Sequence, residues 1–389
     1  MAVKARRAKR SEYSHEERAV IKKSGMDAGF LATVITLVIL GLLMVFSASY
    51  PSANYRYGDG LYFITRQAIW AVLGTIALFV TTRIDYKAYK RLYKPIMILT
   101  FVLLVVVLFS TPLKGARRWL GFGSFTIQPS EIAKVTIIIF FAKVISEAKE
   151  KIRDIPYLFK YALVLVAMLG LLLAEPHLSV CIIICFVIAT MLLVGGFPLK
   201  WFLPVAIAAV VVVIALSFGA DYRADRMNSY LDPFADKQGD GWQIVQSLYA
   251  IGSGGFFGLG FGNSRQKFMY VSEPQNDFIF AIICEELGVI GAFVIIVLFG
   301  ILIWRGIKIA VNAPDSFGTM LVVGIMSLVG WQTFLNIAVV TKLIPTTGIS
   351  LPFFSAGGSS LVFLMASMGI VLNVSKHKRQ VISVKQKGN

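Results

Sequence analysis

Ten largely apolar runs, of roughly 15 to 26 residues each, are the feature that most limits what this chain can fold into, because each is about the length needed to cross a hydrocarbon core of about 30 Å. A backbone crossing lipid must satisfy its own hydrogen bonds, so runs of this length are read as helices. The spans are placed near 27–48, 64–82, 95–110, 129–146, 157–174, 178–196, 202–218, 278–303, 319–341 and 360–374. Composition agrees: 57% of the 389 residues are apolar and 15% charged, a departure from soluble averages toward membrane helices rather than disorder. The expected fold is an all-α polytopic membrane protein with ten transmembrane helices, residues 27–375, between basic tails at 1–26 and 376–389.

An even number of spans puts both termini on one side, and charge says which. With the tails and alternate loops (83–94, 143–160, 197–201, 304–318) assigned to the cytoplasm, that side holds about 26 of the 38 Lys and Arg residues, as the positive-inside rule requires. The formal charge of +17 is therefore a topology signal and a solvated face toward anionic headgroups, not a nucleic-acid footprint. FSASYPSA at the end of the first span offers small residues to a signal peptidase. The polar tail before it and the spans after it indicate an uncleaved signal anchor instead. Cys181, Cys185 and Cys284 fall inside spans and are read as small hydrophobes.

Polar residues gather on the opposite, outer side. The connection between the seventh and eighth spans, about 219–277, is far longer than a simple joint. Within it Ile244, Val245, Leu248, Tyr249 and Ile251 form a helical stripe ahead of a glycine-rich, aromatic turn, the pattern of a re-entrant or interfacial helix. The glycines do not form a dinucleotide fingerprint. Lys114, Arg117 and Arg118 lie in a second outer segment, against the topology rule. KLIPTTGISLPFFSAGGSS suits irregular backbone lining a cavity. Glu131 and Lys134, spaced i,i+3 in the fourth span, are either a self-neutralising pair or a lysine aimed at a bound anion.

SEPQNDFIFAIICEELG places Asp277, Glu285 and Glu286 at the head of the eighth span. Asn276 or Asp277 could simply cap that helix, as Asp27 caps the first. The alternative is an acid at the outer mouth faced by Arg117, Arg118, Lys134, Arg265 and Lys267. Asp277 and Glu285 are separated by about 12 Å of helical rise and about 80° of rotation. Paired-acid glycoside hydrolysis needs its carboxyls about 5 to 9.5 Å apart, so this helix does not supply such a pair. Glu285 and Glu286 are expected to be packed and hydrogen-bonded. One base among cations suits instead a reaction whose leaving group is already a pyrophosphate.

KGARRWLGFGSFTIQPSEIAK, QSLYAIGSGGFFGLGFGNSRQKF, SEPQNDFIFAIICEELG and PTTGISLPFFSAGGSS resemble, in order and spacing, the signature segments of the SEDS family, to which FtsW, RodA and SpoVE belong. The resemblance covers about 27–375 and implies a ten-span bacterial plasma-membrane peptidoglycan glycosyltransferase that polymerises lipid II at the outer face. It implies that Asp277 is the essential acid, acting as general base in an inverting transfer. Arg117, Arg118, Lys134, Arg265 and Lys267 are the candidate substrate-binding cations, Mg²⁺ or Mn²⁺ the candidate ion, and a class B penicillin-binding protein the expected partner within a division or elongation complex. The basic N-terminal tail is more similar to that of FtsW than RodA, which points to division. Two departures stand out: EPHLSV puts His177 where the family carries an acid, and Lys342 occupies a position where a small residue is usual. The rival readings are a flippase for lipid-linked cell-wall precursors and a catalytically silent scaffold.

Overall fold

The computed structural model describes residues 13–23, 25–112, 117–122, 125–202, 230, 232–233, 241–268, 270–271 and 273–387. Nearly all of the seventh expected span (202–218), most of 219–240, Lys114 and residues 1–12 of the N-terminal tail lie outside the described residues. In chain order the elements are β1 (Tyr13–Lys23), α1 (Ala28–Tyr57), α2 (Tyr62–Arg83), the short α3 (Tyr86–Arg91), α4 (Tyr93–Leu108), β2 (Leu120–Phe122), β3 (Phe125–Ile127), α5 (Pro129–Ala148), α6 (Ile155–Ala174), α7 (Leu178–Val194), α8 (Trp242–Gly254), α9 (Ile279–Val311), α10 (Ser316–Val340), α11 (Gly358–Ser375) and β4 (His377–Lys387). Helices occupy nine of the ten expected spans. The described strands are confined to a hairpin of β2 with β3 and an antiparallel ladder of β1 with β4, which joins the two tails.

Six of these helices, α1, α2, α6, α9, α10 and α11, are long and apolar enough to cross a membrane, and α4 and α7 are shorter apolar helices. Burial ranks them by position. α5 and α10 form the middle of the bundle, where Ile137, Ile138, Leu321, Val322, Ile325 and Val329 are buried. α6 turns an apolar face outward, with Phe159, Leu163 and Val166 exposed. In water that face would be costly; against lipid tails, as apolar as leucine, it is not.

One end of the bundle is tied by polar contacts. Asp27 caps α1 by accepting from the Phe30 N–H at 2.8 Å, pairs with Arg305 at 2.9 Å, and donates its own N–H to Ser375 Oγ. The Tyr86 hydroxyl donates to Asp315 at 2.6 Å, while the Tyr86 N–H donates to Asn373 Oδ1 at 2.9 Å. The starts of α1, α3 and α10 thus meet the ends of α9 and α11, and the β1 and β4 segments leave from this end. α1 continues well past its expected end to Tyr57, carrying FSASYPSA within the helix with Pro51 inside it.

Candidate active site

The opposite end is built around the first turns of α9. This helix breaks at Gly288, whose φ of +67° is not helical. The glycine-rich turn after α8 runs beside the break and takes up the backbone groups it frees. Leu259 and Gly260 N–H donate to the carbonyls of Glu285 and Glu286 at 2.9 and 3.0 Å, and the N–H groups of Val289 and Ile290 donate to Gly255 and Phe256. No backbone group can be left unpaired at membrane depth, so the turn and the break require each other. Gly258 sits where a Cβ would lie 2.1 Å from the Glu286 carbonyl oxygen, and its φ is +77°. The turn is therefore glycine-rich because two backbones touch, not because it holds phosphate. α8 itself descends beside α9, with Ser247 Oγ donating to the Val340 carbonyl and Gly254 packed on Cys284, as a re-entrant segment would.

Glu285 and Glu286 are both fully buried and fully engaged. Glu285 accepts from Ser264 Oγ and from the Arg265 N–H at 2.9 Å. Glu286 accepts from Ser47 of α1 and pairs with Lys267 Nζ at 2.9 Å; that ammonium also donates to the Gly262 carbonyl at 2.6 Å and to Ser47 Oγ at 3.2 Å. The two acids pin the loop Gly262–Lys267 to α9, which answers what they are doing inside an apolar helix.

Asp277 sees a different environment. It does not cap α9: the N-cap residue is Phe278, with no side-chain capping bond, so the capping alternative for Asn276 and Asp277 is corrected. Its side chain is partly exposed, and its backbone is held from two directions. Asn336, near the C-terminal end of α10, donates through Nδ2 to the Asp277 carbonyl at 2.8 Å and to the Ile349 carbonyl at 2.6 Å. Ser355 Oγ donates to the Asn276 carbonyl at 2.8 Å while accepting from the Leu351 N–H, and the Ala356 N–H donates to the Gln275 carbonyl. The segments Gln275–Asp277 and Gly348–Ala356 are thereby stitched together, with Gly348 against the Asp277 carboxylate.

The five cations do not gather as free charges. Lys267 is 4% exposed and paired with Glu286. Lys134 is 3% exposed and pairs with Glu131 at 2.9 Å, so the self-neutralising alternative holds for that pair. Arg118 donates to the carbonyls of Glu175 and Pro176 and braces the α6–α7 turn. Arg117, which donates to the Leu108 carbonyl, and Arg265 keep exposed side chains. The Glu131–Lys134 pair lines a pocket of about 20 Å³ with Gln332, Ser350, Ser355 and Ser367, enough for one or two waters. Ser355 thus forms part of this wall and of the Asp277 clamp.

Behind the turn, Glu175 is completely buried without a hydrogen-bond partner for either carboxyl oxygen, and burial pushes its pKa up to about 8 against the lowering effect of Arg118. His177 accepts or donates at 2.7 Å with Gln128, and burial, with Arg118 and Lys134, holds it neutral at a pKa of about 3. Among the described residues no three His, Cys, Asp or Glu side chains gather as a metal site. The three cysteines are free. Asn336, Ser355, Ser47 and Ser264 escaped the sequence reading. Only Asn336 carried a signal, one of two amides, with Gln332, inside a predominantly apolar span.

The chain is similar to known proteins in sequence and in fold. The sequence model of the family described as "Cell cycle protein", covering FtsW, RodA and SpoVE, matches residues 27–380. Stage V sporulation protein E of Bacillus subtilis is 42% identical over 362 residues, 92% of this chain and 99% of that protein. A probable peptidoglycan glycosyltransferase FtsW of Trichlorobacter lovleyi is 41% identical over 90% of this chain and 93% of its own length. Among solved structures, a chain from a peptidoglycan synthase complex described as coordinating polymerization and crosslinking superposes with a TM-score of 0.75 at 27% identity, covering 90% of this chain and 97% of that one. The rod shape determining protein RodA of Thermus thermophilus gives 0.65 at 26% identity, over 90% and 96%.

Proposed function

From the chain's membership of the FtsW, RodA and SpoVE family of cell cycle proteins, we propose that it is a peptidoglycan glycosyltransferase polymerising lipid II at the outer face of the bacterial plasma membrane. The observation that carries this reading is likeness along nearly the whole chain to proteins named as probable glycosyltransferases of this kind. Asp277 acts as the general base. A partly exposed carboxylate at the end of the bundle opposite the basic tails, on a backbone held by Asn336 and Ser355, suits a group that must meet an incoming sugar hydroxyl at a fixed place. The 4-hydroxyl of the acceptor sugar loses its proton to Asp277 and attacks the anomeric carbon of the growing strand, inverting it.

The departing undecaprenyl pyrophosphate needs no acid, only positive charge. Arg117 and Arg265, whose side chains are exposed, are assigned to meet it; Lys134, Lys267 and Arg118 act from behind by holding the walls. The expected partner is a class B penicillin-binding protein, which would cross-link the strands as they emerge, and the process served is cell division or shape maintenance. Purified protein, with that partner present, should convert labelled lipid II to polymer, and Asp277→Asn should lower the rate at least about 100-fold with folding intact. Lipid movement across vesicles with no new glycosidic bonds would favour the flippase, and parental polymerisation by the Asn variant would overturn the base assignment.

A further inference from the structure

We infer that Asn336 is a positioning residue for the reaction, one that acts through Asp277 without touching substrate. The inference rests on the glycosyltransferase reading and extends it to a residue on a different helix. Asn336 is fully buried within α10, one turn beyond Gln332 and Thr333, the other buried polar side chains of that helix. Its amide spends both N–H groups on two backbone carbonyls, of Asp277 at 2.8 Å and Ile349 at 2.6 Å. These two acceptors fix the amide's orientation, because reversing it would set its oxygen against two carbonyl oxygens.

The two carbonyls belong to the two segments that meet at the site. Asp277 heads α9, and Ile349 follows Gly348, which lies against the Asp277 carboxylate. A single planar group on α10 therefore sets the gap between the acid and the loop facing it. Ser355 makes the matching contact one residue earlier, on the Asn276 carbonyl. Phe278 is the N-cap residue of α9, so the backbone that carries the Asp277 side chain lies ahead of the helix and is held in place by these outside donors. Displacement of about 1 Å at a base is enough to cost on the order of 100-fold in rate while leaving distant binding contacts in place.

The test compares Asn336→Leu and Asn336→Asp with parental protein in detergent, each with its expected partner, on labelled lipid II. Leu keeps the branching at Cγ and removes both donors; Asp keeps the shape and can donate once only when protonated. Both variants should remain monodisperse with a parental elution profile. For Asn336→Leu, kcat should fall 10- to 100-fold with KM changed less than about threefold, and the limb of the kcat–pH profile that reports the base should move. Asn336→Asp should lose less as pH is lowered, because its protonated form restores one bond. Folded variants with parental kcat and pH profile overturn the inference, as does loss of fold in both, which would make Asn336 a residue of the scaffold. Parental protein that makes no polymer sinks the glycosyltransferase reading instead, a result distinguishable from either.

Discussion

Lys267 Nζ lies 2.9 Å from Glu286 Oε1, with 4% and 0% of the two side chains exposed, and this pair fastens the loop after α8 to the broken head of α9. All three ammonium protons are used, on Glu286, Ser47 and the Gly262 carbonyl. Removing one partner leaves the other charge buried and uncompensated, which costs about 3 to 5 kcal/mol. Lys267→Met and Glu286→Gln should each lower the thermal midpoint in detergent sharply. The double variant should lose less than the sum of the two, so additive losses would contradict a coupled pair.

The contact of Gly258 with the Glu286 carbonyl leaves no space for a side chain, and the positive φ adds strain for any L residue. Gly258→Ala should therefore displace the loop or unfold this region. Limited proteolysis should show new cleavage between α8 and α9, and protection equal to the parent would refute the close approach.

Lys342 occupies a left-handed position, φ +58°, just past the end of α10, where the Leu343 N–H returns to the Ala338 carbonyl at 2.7 Å. This is the helix-ending geometry that favours glycine, and it explains why a small residue is usual there. Lys342→Gly should stabilise the protein by about 1 kcal/mol, read as a higher thermal midpoint.

Glu175 gives a dependence on pH. Burial raises its carboxyl to about 8, so the native state holds a proton that the unfolded chain has released above about 4.5. The stability contributed by the neutral acid is complete below that value and declines as pH rises toward 8, by at most about 1.4 kcal/mol per pH unit. His177 works the other way at lower pH. Held neutral to about 3, it costs stability as pH falls through 6.5, because the unfolded imidazole takes up a proton that the native one refuses. The two slopes oppose each other between 4.5 and 6.5, which leaves 6.5 to 8 as the window for Glu175. Thermal midpoints across that window should fall for the parental protein and stay flat for Glu175→Gln; parallel curves would remove Glu175 as the cause.

Much of this molecule was legible in its sequence because lipid enforces a simple rule. An apolar run of sufficient length must become a helix, and the nine expected spans that fall among the described residues did so. Their edges moved where local chemistry allowed, as in α1, which passes through Pro51, and α9, which runs to Val311 but breaks at Gly288. The helical stripe of α8 and the cap at Asp27 were likewise local, set by periodicity and by one side chain reaching its own helix.

The sequence by itself determined the helices, the charge bias of the two ends and the place of Asp277 at a helix head. Only the tertiary structure decided what each charge faces. Lys134 and Lys267 read alike in a linear chain as outward cations, yet each is enclosed with its own glutamate, while Arg265, two residues from Lys267, turns outward. The physical reason is that a helix follows from contacts four residues apart, whereas the worth of a charge depends on partners such as Ser47 and Glu286, 239 positions apart. Asn336 belongs to the same class: its amide was visible from the start, but the two carbonyls that give it meaning lie 59 and 13 residues away.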